Sequence, residues 1–153
     1  MPAVSDAGGA GLPRTWRPLG VRLAVVFFGA LLLLTCAFAW FGFPQEIRDK
    51  FTFFQLSTLA VLGLMAGSVG WALARSRVVA LPERLVVVNG FKRREWEWPE
   101  VVAIRLPRGA PWASLDLADG TSSPVMALQS TDGDRAIAAV RELRTILEQP
   151  PTA

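Results

Sequence analysis

The stretches LAVVFFGALLLLTCAFAWFGF at 23–43 and FFQLSTLAVLGLMAGSVGWAL at 53–73 decide the class of this chain. Each has 21 residues and contains no Asp, Glu, Lys or Arg. A bilayer's hydrocarbon core is about 30 Å thick, so a helix needs roughly 20 apolar residues to cross it. The first stretch holds twelve Leu, Val or Phe residues and the second holds nine, and these residue types favour insertion. Both stretches are therefore predicted to span a membrane.

A short connector, residues 44–52, separates the two stretches and begins with the helix breaker Pro44. It is too short for a domain, so we expect an antiparallel transmembrane hairpin over residues 21–75. The connector carries two cations, Arg48 and Lys50. Five cations flank the outer ends of the hairpin: Arg14, Arg17, Arg22, Arg75 and Arg77. Because Lys and Arg near the ends of spans accumulate on the cytoplasmic side, we expect a multi-pass protein of the cell membrane with both termini cytoplasmic.

A cleaved signal peptide is an alternative for the first stretch, since Ala37-Phe38-Ala39 has the small-x-small cleavage pattern. The apolar run continues to Phe43, and the second stretch follows at once, which favours two spans. Cys36 is the only cysteine and the chain has no histidine. An internal disulfide is therefore excluded, and neither a metal site nor a cofactor is expected.

A small-residue motif lies in the second stretch, where Gly63 and Gly67 form G-x-x-x-G and Gly70 extends the same face. Small residues let helix backbones approach closely in lipid. These candidate helix-packing residues are interpreted as contacts with the first span. Homo-oligomer formation, or docking to another membrane protein, is the alternative.

The flanking regions differ in composition from the hairpin. Residues 1–20 are rich in Gly, Ala and Pro and are predicted to be a disordered cytoplasmic tail. Trp16 is interpreted as an interfacial aromatic residue before the first span. From Val78 onward the chain has nine Lys or Arg against ten Asp or Glu, so this half is nearly neutral and nucleic-acid binding is not expected.

Residues 76–149 have the pattern of a small β-rich domain. Asn89-Gly90 is a strong hairpin signal, and residues 91–98 alternate Trp96 and Trp98 with Glu95 and Glu97. Val102, Ile104 and Leu106 are placed on one face of a later strand. Six strands are predicted, at 77–81, 85–88, 91–98, 101–106, 112–117 and 124–128.

One amphipathic helix is predicted to end the domain, capped by Thr131 or Asp132, with Asp134 in its first turn. Its apolar face holds six residues: Ala136, Ile137, Val140, Leu143, Ile146 and Leu147. The fold class is therefore an α+β membrane protein, with an N-terminal two-helix transmembrane hairpin before a small antiparallel β domain with a C-terminal helix.

With these features the chain resembles the low molecular weight protein antigen 6 family, a group of small bacterial membrane proteins from actinobacteria. The resemblance covers about residues 16–148, and its most specific part is Trp96-Glu97-Trp98-Pro99-Glu100-Val101. It implies a pleckstrin-homology (PH)-like domain, with two antiparallel sheets capped by a C-terminal helix, and no catalytic residues. Eukaryotic domains of this fold bind phosphoinositides through a basic loop that has no matching motif here.

One basic cluster stands out in the domain: Lys92, Arg93 and Arg94. These residues are candidates for contact with anionic lipid headgroups. The alternative, which we favour from sequence, is that they cover a solvent-facing or edge strand, since Glu95, Glu97 and Glu100 follow closely.

Aromatic and acidic residues provide the other candidates. Trp96, Trp98 and Trp112 could line a peptide groove, but they are interpreted first as core of a small domain. Asp116 and Asp119 could suggest acid–base chemistry, yet no nucleophile or histidine accompanies them. No catalytic role is expected, and Asp119-Gly120 is read as a turn.

The sequence therefore predicts a non-enzymatic PH-like interaction module, anchored in the membrane at the cytoplasmic face, that binds a membrane or cytoplasmic protein. Two alternatives stay open: recognition of anionic lipid headgroups, and service as an accessory subunit of a larger membrane complex. Besides the bilayer, a second copy of the chain is a candidate partner.

Overall fold

The chain divides into two compact units in the computed structural model, which describes residues 11–149. One unit is helical and covers residues 19–74, and the other joins residues 11–18 to residues 75–149. The expected disordered tail over residues 1–20 therefore needs correction from residue 14 onward, because Arg14–Trp16 form a strand and a helix begins at Leu19. The remainder of that tail, residues 1–10, lies outside the described residues.

The helical unit contains three helices: α1 (Leu19–Gly42), α2 (Gln45–Arg48) and α3 (Phe53–Ala74). The predicted spans at 23–43 and 53–73 correspond to α1 and α3, and both helices are long and apolar enough to cross a membrane. They are antiparallel. Val25 near the start of α1 approaches Gly70 near the end of α3, and Trp40 at the other end of α1 packs edge-on against Phe51, with ring centroids 5.7 Å apart.

The hydroxyl groups on α1 and α3 all donate hydrogen bonds to carbonyl oxygens of their own helix. Thr35 bonds to Leu31 at 2.8 Å, and Ser57 bonds to Phe53 at 2.8 Å. Thr58 and Ser68 bond in the same way to Phe54 and Met65, at 2.9 and 2.8 Å. These polar side chains therefore need no water, which is the condition for placing them in hydrocarbon.

The β-rich unit has seven strands: β1 (Arg14–Trp16), β2 (Arg77–Ala80), β3 (Arg84–Asn89), β4 (Lys92–Glu97), β5 (Val101–Arg105), β6 (Trp112–Leu117) and β7 (Ser122–Gln129). Helix α4 (Asp134–Glu148) follows them. The six predicted strands correspond to β2–β7, whereas β1 was not predicted. The strands form two antiparallel sheets, in the orders β1-β2-β3-β4 and β5-β6-β7.

Strand β1 joins the sheet although the whole helical unit separates it from β2 in the chain. Arg14, Thr15 and Trp16 pair with Ala80, Val79 and Val78. The Trp16 indole N–H also donates to Glu142 Oε2 of α4 at 3.1 Å, and Arg14 forms an ion pair with the same carboxylate. The segments on either side of the helices therefore form one domain, and the helices are an insertion within it.

The core lies between the two sheets and α4. It includes Val78, Leu85 and Val87 of the first sheet, and Ile104, Leu115 and Val125 of the second. From α4, Val140, Leu143 and Ile146 close it. Because successive residues of a strand point to opposite faces, Leu85 and Val87 lie on the inner face of β3 while Val86 and Val88 lie on its outer face.

Three details of the domain differ from the sequence-based expectation. Val102 is exposed rather than aligned with Ile104, because the register shifts between Val101 and Ala103 and so breaks the alternation. Ile137 is also exposed, since the side of α4 that carries it faces solvent. The α4 N-cap is Gly133, without a side-chain cap, because a short 3-10 turn at Ser130–Asp132 occupies the predicted capping positions.

Trp16→Ala should loosen the domain, because it removes the bond to Glu142 and packing on the core. We expect the free energy of unfolding of the domain to fall by about 2–3 kcal/mol, which is less than the usual cost of truncating a fully buried tryptophan. The measurement is hydrogen exchange of the β2 amides in the detergent-solubilised full chain. Trp112→Ala, on a more exposed tryptophan of β6, is the matched control. Equal effects of the two changes would contradict the role assigned to β1.

Candidate functional site

The first sheet has two ends that differ in what the chain attaches to them. Trp16 and Arg77 lie at one end, and each is separated from a long helix by two residues. We call this the helix-linked end. Arg77 pairs with Val88, so the turn between β3 and β4 lies at this end as well. The opposite end, here called the far end, holds Arg84 paired with Glu97.

The β3–β4 turn at the helix-linked end is tightly built. Asn89 pairs with Lys92, so Gly90 and Phe91 are the two turn residues. Gly90 has a φ of +59°, which suits glycine in a two-residue hairpin turn. Its N–H donates to Ser76 Oγ at 3.0 Å. The side chain of Phe91, in contrast, is 69% exposed.

Asn89 ties this turn to the second sheet. Its side-chain amide donates to the Pro124 carbonyl at 2.5 Å, and its side-chain oxygen accepts from the Met126 N–H at 2.9 Å. The Asn89-Gly90 pair therefore does more than reverse the chain, because it also joins β3 to β7. The turn is held in place, and it presents Phe91 and Lys92 outward.

The predicted basic cluster lies on β4 just after this turn, and all three side chains are exposed. Arg93 forms an ion pair with Glu95 at 2.5 Å. Among the described residues, Lys92 and Arg94 have no carboxylate partner. Of the three cations, only Arg93 therefore forms an ion pair with one of the glutamates that follow. The cluster is on an edge strand, as the favoured interpretation stated. Contact with lipid headgroups stays a prediction.

A cleft of about 550 Å³ lies at the far end of the same strand. Arg84 Nη1 bonds to Glu95 Oε2 at 2.9 Å, and the Glu97 N–H donates to Glu100 Oε2 at 2.7 Å. With four carboxylates and one guanidinium, the cleft has a formal charge of −3. Its lining residues are Glu83, Arg84, Glu95, Trp96, Glu97 and Glu100.

The three candidate tryptophans have different environments. Trp98 is buried in the core, and its indole N–H donates to the carbonyl oxygens of Leu81 and Pro82, both at 3.0 Å. Trp96 is partly buried, packs against the core and also lines the cleft. Trp112 lies at the start of β6 and is 38% exposed. The core interpretation therefore suits Trp98, whereas Trp96 contributes to both a core and a groove.

The carboxylates considered for acid–base chemistry have structural partners instead. Asp116 forms an ion pair with Arg105 at 2.5 Å. Asp119 accepts hydrogen bonds from the hydroxyl and the backbone N–H of Thr121, at 2.7 and 2.8 Å, and these bonds lower the pKa of the Asp119 carboxyl. Within residues 11–149, no group of three or more His, Cys, Asp or Glu side chains could hold a metal ion.

The glycines of α3 do not all pack as expected. A Cβ added at Gly70 would lie 3.1 Å from Val25 Cγ1, which is a tight contact, so a larger side chain here would have to displace Val25. A Cβ at Gly63 or Gly67 would meet nothing within 4 Å among the described residues. The expected packing against the first span is therefore found for Gly70 and is wrong for Gly63 and Gly67 within this hairpin.

Two features of the site were missed from the sequence. The sequence suggests Trp16 only as an interfacial aromatic residue, whereas the structure makes it part of β1 and packs it against the core. Its position at a membrane interface stays a prediction. The acidic cleft was also missed, because Glu83 and Arg84 come near Glu95 and Glu97 only through the pairing of β3 with β4. The closely spaced glutamates at 95, 97 and 100 were the available signal.

Comparison with known families matches residues 75–145 to the family described as "Bacterial PH domain". The chain is also 32% identical over 135 residues to an uncharacterized protein of Mycobacterium bovis, covering 86% of this chain and 84% of that protein. Uncharacterized proteins from two strains of Mycobacterium tuberculosis match with the same identity and coverage. No solved structure matches the chain. The family match begins after the helices, so it does not include β1.

Gly70→Val should destabilise the pair of long helices by about 1–3 kcal/mol, because the added methyl groups would overlap Val25. Gly63→Val is the matched control, since it changes the same residue type on the same helix and meets no neighbour. The measurement is thermal unfolding of the full chain in detergent, followed by helical circular dichroism. If the two variants melt alike, the close approach of α1 and α3 at Gly70 is not what holds them together.

Proposed function

Because this chain belongs to the bacterial PH-domain family, we propose that it is a membrane-anchored, non-catalytic module that binds a basic segment of a protein partner. PH domains are generally interaction modules rather than enzymes, and the matched family indicates no enzymatic activity. The observation that supports the proposal is the acidic cleft at the far end of β4.

Anchoring is supported by the surfaces of α1 and α3. The two helices contain 24 and 22 residues, and their most apolar windows are 0% and 6% buried. A helix that is apolar on all sides requires an apolar environment. In water these helices would expose a continuous hydrophobic surface, whereas in a bilayer lipid would cover it. The internally bonded hydroxyl groups fit the same environment.

The pairing of β1 with β2 supports an even number of membrane crossings. These strands precede α1 and follow α3, and they lie in one sheet. A chain whose two flanks share a sheet must return to the side from which it left. Cations at the flanks outnumber those in the connector, and under the positive-inside rule this bias favours a cytoplasmic domain.

The cleft has the features of a peptide-binding surface. Strand β4 pairs with β3 on one side and has no strand on its other side within residues 11–149, so its edge is open to an added strand. The carboxylates of Glu83 and Glu97 have no ion-pair partner among the described residues, although the Glu97 carboxylate accepts a hydrogen bond from the Glu100 N–H. Trp96 offers an aromatic surface on which a Lys or Arg side chain can stack. A partner segment with two or three cations matches the formal charge of the cleft.

Glu97→Lys should weaken partner binding about tenfold or more, because it places a like charge opposite the basic segment. The measurement is crosslinking of the full chain in cells, followed by mass spectrometry of the captured proteins and their crosslinked peptides. We expect basic peptides to be captured at the cleft of the unmodified chain and to be lost from the variant.

Glu148→Lys is the matched control, since Glu148 is an exposed acid near the end of α4 without an ion-pair partner among residues 11–149. This variant should retain the captured peptides. If Glu97→Lys retains them as well, or if the peptides captured at the cleft are not basic, the cleft is not the binding surface.

A further inference from the structure

We propose that the β3–β4 turn, with Phe91 and the cations that follow it, docks on the anionic surface of the bilayer that holds the helices. This inference rests on the proposed membrane anchoring and assigns a role to the helix-linked end, which the acidic cleft does not use. The turn comes to that end only through the strand register, since Asn89 pairs with Lys92 and Val88 pairs with Arg77.

Chain connectivity keeps this end of the sheet near the membrane surface. Two residues separate Trp16 from α1, and two separate α3 from Arg77. An extended chain spans at most about 3.6 Å per residue, so neither connection can carry its strand more than about 10 Å from the end of its helix. Both connections enter the same end of the sheet, so the chain tethers the domain to the helices through its helix-linked end.

The segments of the first sheet that meet at this end carry cations, and Glu142 of α4 is an acid that contacts them through Trp16 and Arg14. The segments 11–18, 75–79 and 89–94 contain no Asp or Glu. Lys92 and Arg94 are exposed, and neither has a carboxylate partner among the described residues. Besides Arg14, which pairs with Glu142, the cations in these segments are Arg17, Arg75, Arg77, Lys92, Arg93 and Arg94. An anionic leaflet attracts such a set, and the attraction falls off within a Debye length of the surface.

Phe91 supplies the apolar part of the contact. It is 69% exposed at the tip of a turn that Gly90 and Asn89 hold rigid. An aromatic residue beside cations suits the headgroup region, where apolar and charged groups are both accommodated. The acidic far end lies about 17 Å along β4 from the turn, so a bilayer that binds the turn need not contact the like-charged carboxylates.

The test uses the full chain in nanodiscs of two compositions, one purely zwitterionic and one containing anionic phosphatidylglycerol. Hydrogen exchange is measured by mass spectrometry on peptides that cover residues 89–94. We expect slower exchange in the anionic discs, and this protection should weaken as salt is raised. Each cation near the surface contributes a factor of about five, so Lys92→Gln with Arg94→Gln should lower the docking equilibrium on the order of 25-fold.

Arg135→Gln with Arg141→Gln removes the same charge from exposed positions of α4 and should leave the protection unchanged. Phe91→Ser should reduce it without altering its dependence on salt. Equal exchange in both lipids would overturn the proposal, as would protection that survives the loss of Lys92 and Arg94. The same holds if only an added acidic peptide protects the turn, since the cations would then recognise protein.

Failure of the anchoring proposal would look different. In that case the chain would separate from the nanodiscs during gel filtration, whatever their lipid composition. Loss of peptide capture at the cleft, with protection of the turn intact, would remove the proposed partner site and leave the docking of the turn standing.

Discussion

The short ladder between β1 and β2 is the constraint on which the rest of this structure depends. Three residues before the helices pair with three residues after them, and Trp16 and Arg14 extend the connection to Glu142 of α4. Without these pairs the outer edge of β2 would be unpaired, and the helices would be an appendage of the domain. With them, the helices are an insertion between two strands of one sheet, and both helix connections must return to that sheet.

Strand β4 carries basic residues in its first half and acidic residues in its second half, so the two charges lie at opposite ends of the sheet. It begins with Lys92, Arg93 and Arg94 and ends with Glu95, Trp96 and Glu97. Its pairing with β3 brings the basic half to the helix-linked end and the acidic half to the far end. Because the strand is at an edge and exposed, both halves are available for contacts. The two halves of β4 therefore present side chains of opposite charge at opposite ends of one sheet.

The parts of the fold that were predicted correctly depend on neighbouring residues. Apolar runs of helical length define α1 and α3, and alternation with turn residues defines β2–β7. The errors arose where distant residues decide the outcome. A shift of register against β6 exposes Val102, and the packed side of α4 leaves Ile137 in solvent. The candidate sites divide in the same way. The basic cluster is contiguous in the chain and was recognised from the sequence, whereas the cleft was not, because it combines residues of two strands.

From the sequence by itself follow two helices able to cross a membrane, a β-rich domain with a closing helix, and the absence of any recognisable catalytic constellation. Hydrophobic length and period are properties of the local chain, so they can be read without a fold. Only the tertiary structure decided that Arg14–Trp16 belong to the domain, because a strand of three residues has no periodicity to detect and gains its stability from partners up to 126 positions away. Strand pairing likewise determined which end of the sheet is basic and which is acidic.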